Sequence, residues 1–181
     1  MEINYAKTLL YAYPVMDKLI EQTDALIEKK ALASMNDCSP CEEQCERIIQ
    51  MMNKKDIYLH IRLVVDEAVA KLTEEERQCV EYKYFKNKPK EYFTLVEPKS
   101  RNYFRKQKLI AEKICVELER LKINDEWFEK KCLVLYFFKK LLSRVIERET
   151  AYSKGNRTIK IASKKLKASA TNSAELLVKT A

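Results

Sequence analysis

One glycine in 181 residues, Gly155, constrains this chain more than any other feature. β-hairpins, tight turns and bulges rely on glycine for backbone angles that other residues avoid. A chain without one before residue 155 is expected to be almost wholly α-helical. The apolar share of 46% is enough for a core, and no run approaches the ~20 apolar residues of a membrane span. The opening MEINYAKTLLYAYP lacks a basic stretch followed by a small-residue cleavage site, so no secretory signal is expected and the chain is placed in the cytoplasm.

Apolar periodicity and caps divide the chain. Leu9, Tyr13, Met16, Ile20, Thr23 and Ile27 recur at steps of four and three, the coiled-coil spacing, and predict a first helix over 4–33. Pro14 either kinks it or marks its true first turn. Ser39-Pro40 followed by Glu42 and Glu43 restarts a helix that runs to about Leu72. Its buried side is expected to hold Cys45, Ile49, Met52, Leu59, Leu63, Val69 and Leu72. Two long helices joined by a short loop make an antiparallel hairpin. Thr73 and Glu76 form a capping box that opens a helix over 74–86. Lys88-Pro89 opens a short helix over 89–95. Ser100 caps a fifth helix to about Leu121, with Phe104, Ala111, Ile114 or Cys115, Leu118 and Leu121 facing the core. Asn124 caps a sixth helix that reaches 150 and is apolar almost all round. Beyond Thr150 the chain turns to Lys, Ser, Ala and Thr and is expected to be disordered.

The expected fold is therefore all-α. An N-terminal antiparallel hairpin over 1–71 serves interaction or dimerisation. A helix-turn-helix covers 72–121, a C-terminal packing helix 122–150, and a basic tail 151–181. Few residues suit catalysis. One histidine, one glycine and no phosphate loop leave little from which to build an active site, so no catalytic residues and no cofactor are expected. Cys38, Cys41 and Cys45 form C-x2-C-x3-C, but a structural zinc usually takes two spaced pairs of ligands and no second pair exists. They read as reduced thiols at a helix start, not as a metal site.

Charge is placed unevenly. Residues 1–82 hold 10 Lys/Arg against 16 Asp/Glu, whereas residues 83–108 hold 9 against 2. A basic block confined to the turn and last helix of a helix-turn-helix is the footprint expected of phosphate binding.

The same stretch resembles a known family. Leu72-Thr73-Glu74-Glu75-Glu76-Arg77, then Tyr84-Phe85, Ser100, Phe104 and Ala111, fall without gaps on the pattern of region 4 of sigma-70-type factors, over about 50 of the 181 residues. In that pattern the serine caps the recognition helix. The chain departs from it at Asn87, where the family has glycine, at Tyr92-Phe93-Thr94 in place of Glu-Ile-Ala, and at Pro98 in the turn. With a helical hairpin ahead of this module, the arrangement is similar to phage transcriptional regulators of the ArpU and RinA kind.

The resemblance implies a DNA-binding transcriptional regulator whose fifth helix reads the major groove of double-stranded DNA. Arg101, Asn102 and Arg105 are the base readers, because Arg pairs bidentately with guanine and Asn with adenine. Lys88, Lys90, Lys99, Lys106 and Lys108 neutralise phosphates, Ser100 caps the helix, and Tyr103 either contacts DNA or packs. The acidic hairpin would bind protein, either its own copy or RNA polymerase. The alternative is an interaction module on a degenerate helix-turn-helix that binds polymerase or another regulator and not DNA. Neutralising five phosphates predicts that log K for duplex DNA falls against log salt with a slope of about −4 to −5, which a salt titration of affinity measures.

Overall fold

The computed structural model describes residues 1–34, 40–85 and 101–151. Among the described residues all regular structure is helical, so the fold is all-α. The expected short helix at 89–95, the Ser100 cap and the basic tail from 152 lie outside the described residues.

The predicted first helix is two helices. α1 spans Ile3–Ala12 and α2 spans Met16–Ser34, separated by a tight 3-10 turn at Tyr13–Val15. Pro14 lies inside that turn. Without an N–H it cannot continue the i to i−4 ladder, and in a continuous helix its ring would clash with the carbonyl four residues back. α3 spans Cys41–Ala70, 30 residues and about 45 Å. Asp17 of α2 pairs with Arg62 at 2.9 Å and Asp24 with Lys55 at 2.6 Å. Moving seven residues forward on α2 moves seven back on α3, so the two helices form an antiparallel hairpin.

α3 does not bury the side expected of it. Val69 and Leu72 are buried, but Ile49, Met52 and Leu63 are 55%, 50% and 66% exposed, Cys45 is exposed and Leu59 is half-buried. The core takes another face instead: Tyr58, Ile61, Val64, Val65 and Ala68. These pack with Leu9 and Leu10 of α1, with Cys79 and Val80, with Ile110, Ile114 and Leu118, and with Phe128 and Phe138 in one continuous core. Removing side chains of this size from water contributes about 1.5–3 kcal/mol each.

α4 spans Glu74–Val80 and passes into a π-helical turn at Glu81–Phe85. Its capping box is formed. The Thr73 hydroxyl accepts from the Glu76 N–H at 3.4 Å, and the Glu76 carboxylate accepts from the Thr73 N–H at 3.1 Å. α5 spans Arg101–Arg120 and ends in a Schellman motif. Ile123 N–H donates to the Leu118 carbonyl and Lys122 N–H to the Glu119 carbonyl, both at 2.9 Å, with Lys122 left-handed at φ 63°. Ile123 and Leu118 are both buried, which supplies the apolar contact of the motif.

The predicted sixth helix is also broken. α6 is one turn, Asp125–Trp127, capped by Asn124, whose side chain accepts from the Trp127 N–H at 2.8 Å. A π-helical turn follows at Phe128–Cys132, then a turn at 133–135, and helix resumes at 136. The Phe128 and Phe138 rings meet edge to face at 6.4 Å, and both are fully buried. Ten residues of unbroken helix would separate them by about 15 Å along its axis, so the chain must turn to bring them together. Tyr5 of α1 stacks on Phe128 at 4.4 Å and closes this end of the core. The first compact unit spans Met1–Leu142. The second begins at Ser143, and its described residues, 143–151, are helical.

Two substitutions test these ends. Lys122→Gly removes the side-chain clash of a left-handed residue and is expected to raise stability by about 1 kcal/mol in denaturant unfolding. Glu76 accepts a hydrogen bond from Lys113 and one from Thr73 N–H, and these hold its carboxyl below the usual carboxylate range. A carboxyl depressed in the folded state adds stability above its unfolded pKa and loses it as pH falls through the folded one. Glu76→Gln is therefore expected to flatten the fall of unfolding free energy between about pH 5 and pH 3.

Candidate nucleic-acid interface

α5 is divided lengthwise by burial. Tyr103, Gln107, Ile110, Ala111, Ile114, Cys115 and Leu118 are buried, at the spacing that puts them on one side of a helix. Opposite them Asn102, Arg105, Leu109, Glu112 and Val116 are exposed. From Arg101 to Ala111 the helix holds no acidic residue, so every charge on its first turns, about three of them, is positive.

The structure describes only part of the expected site. Lys88, Lys90, Lys99 and Ser100, together with the side chain of Arg101, lie outside the described residues. Asn102 and Arg105 both stand on the outer face, one turn apart. Arg105 has no carboxylate partner among the described residues. Lys106 and Lys108 are also exposed, but each is already paired: Lys106 Nζ with Glu75 at 3.1 Å, and Lys108 Nζ with Glu112 at 3.6 Å. Pairs this exposed contribute about 0–1 kcal/mol, so exchanging a carboxylate for a phosphate costs little.

Tyr103 packs. It is 8% exposed, with the Tyr82 ring edge-on at 6.4 Å. Burial pushes its hydroxyl up to about 12, so it stays neutral at physiological pH. Phe104, expected in the core, is instead 36% exposed. The α5 stripe starts one residue earlier than its apolar content suggests, because Tyr103 and not Phe104 lies in line with Gln107, Ile110 and Ile114. Gln107 was not expected inside. A polar residue at a stripe position is visible in sequence only once the stripe's phase is known.

α5 is held to α4 by charge as well as packing. Lys113 pairs with Glu76 of the capping box, and Lys106 pairs with Glu75 in the same first turn. Arg120 pairs with Glu67 of α3 at 2.9 Å. Together these pairs hold the outer face of α5 away from α3 and α4. Cys41 and Cys45 are exposed at the start of α3, Cys38 lies outside the described residues, and the Cys45 thiol is raised by its hydrogen bond with Cys41. Among the described residues no group of three or more His, Cys, Asp or Glu side chains is placed to hold a metal. No described helix is long and apolar enough to cross a membrane.

Burial separates the two roles on α5. Tyr103→Ala is expected to cost about 3 kcal/mol in urea unfolding, whereas Arg105→Ala shifts stability by less than about 0.5 kcal/mol. No protein-family model, no curated protein and no solved structure matches this chain.

Proposed function

We propose that the chain is a cytoplasmic transcriptional regulator that places α5 in the major groove of duplex DNA. One observation carries the reading. Asn102, Arg105 and Leu109 share the outer face of a helix whose opposite face is anchored in the core, and no acidic residue interrupts its first half. That face supplies the chemistry of groove recognition: an amide for adenine, a guanidinium for guanine and an apolar side chain for the thymine methyl. Lys106 and Lys108 flank it as phosphate contacts once released from Glu75 and Glu112. Likeness to sigma region 4 and to ArpU- and RinA-type regulators supports the same reading through Leu72-Thr73-Glu74-Glu75-Glu76-Arg77 and its formed capping box.

A second reading has its own support. The exposed residues Cys45, Ile49 and Met52 follow one another on α3 at steps of four and three, and Leu63 stands eleven residues further on, about three turns along the same side of the helix. That side suits a protein partner, such as RNA polymerase or a second copy of the chain, with or without DNA on α5. Titration of fluorescein-labelled duplex DNA, followed by anisotropy, tests the first reading. Arg105→Ala is expected to weaken a specific site by about 1–3 kcal/mol, and Lys106→Ala to weaken all sequences evenly. Equal binding by parent and Arg105→Ala on every duplex would leave the protein-interaction reading.

A further inference from the structure

A groove of about 580 Å³ runs between α3 and the α6 region, lined by Asn53, Asp56, Ile57, His60, Trp127 and Lys131. None of these residues belongs to the α5 face, so the groove is a separate site from it. Charges elsewhere between helices close directly on each other: Asp17 on Arg62, Asp24 on Lys55, Glu75 on Lys106 and Glu67 on Arg120. Asp56 and Lys131 line the same groove, yet neither has an ion-pair partner among the described residues. A carboxylate and an ammonium therefore face one opening without meeting. The same lining holds an indole, an imidazole and a branched apolar side chain, with the His60 and Trp127 rings 5.4 Å apart and tilted by 46°.

We propose that this groove binds a free α-amino acid with an apolar or aromatic side chain. The ligand ammonium pairs with Asp56 and with the carbonyl oxygen of the Asn53 amide. The ligand carboxylate pairs with Lys131, with the His60 ring N–H as a further donor. The ligand side chain lies on Ile57 and the Trp127 ring. A zwitterion satisfies both walls at once. A simple anion would meet Asp56, and a simple cation would meet Lys131, each with like charge. The volume lies within the range of small-molecule sites and leaves room for a side chain of any size.

The reporter is built in, because Trp127 is the chain's only tryptophan. Its fluorescence is followed while the full-length protein is titrated with the natural L-amino acids other than tryptophan, and binding of tryptophan is followed by thermal shift. Saturable binding of at least one, with Kd about 1 mM or tighter, is expected. Asp56→Asn and Lys131→Met should each weaken it at least about tenfold, the cost of one lost charged contact. Lys130→Met, which removes the neighbouring ammonium bonded to Glu126, should leave it unchanged. The N-acetyl and carboxamide forms of the bound amino acid should also bind at least about tenfold more weakly. No saturable response below about 10 mM overturns the proposal. So does equal binding by the blocked forms, and so does equal weakening by Lys130→Met and Lys131→Met.

Discussion

Burial of one side of α5 is the constraint on which the remaining structure depends. Ile110, Ile114 and Leu118 meet α1, α3 and α4 in a single core. With those residues inside, the helix has no rotational freedom, and Asn102, Arg105 and Leu109 must stand outside. The Schellman turn at Leu118–Ile123 then commits the chain's direction. It drops Ile123 into the core and starts α6 at Asn124, where Phe128 can stack on Tyr5. Loosening the stripe would release both the outer face and the C-terminal turn.

Charge acts as a second layer over that packing. The first turn of α4 carries Glu74, Glu75 and Glu76, a run that favours a helix N-terminus by complementing its positive end. Glu75 and Glu76 also reach Lys106 and Lys113 of α5. One acidic run thus starts a helix and aligns its neighbour. The pairs are exposed enough to be weak singly, so they orient α5 more than they stabilise it. The same weakness lets the Lys106 ammonium exchange partners at little cost.

Legibility followed range. The capping box at Thr73–Glu76 and the Asn124 cap are local hydrogen bonds within three residues, and both stand where the sequence places them. The all-α class follows from the missing glycines, and the hairpin from two long helices and a short loop. Apart from the breaks at Tyr13–Val15 and after Trp127, the departures concern which neighbour a side chain meets. α3 carries apolar residues on two faces. The sequence points to the side with Cys45, Ile49, Met52 and Leu63, a less regular set than the stripe of the first helix, whereas the core chose Tyr58, Ile61, Val65 and Ala68. On α5 the adjacent aromatics Tyr103 and Phe104 are equally plausible starts to the stripe, and only packing against α4 separates them. The groove at Asp56, His60, Trp127 and Lys131 unites residues about seventy positions apart and has no sequence pattern at all.

Backbone chemistry and local spacing alone determined that this chain is helical, where most of its described helices start, and that its positive charge gathers around the start of α5. Those properties depend on residues within a turn or two of one another. Tertiary structure decided which face of α3 is inside, that Tyr103 packs while Arg105 stands free, and that the last apolar helix breaks so that Phe128 can touch Phe138. Each of these depends on the area buried against a distant partner. A periodic pattern shows that a helix has an apolar face, but not which of two such faces the core will cover.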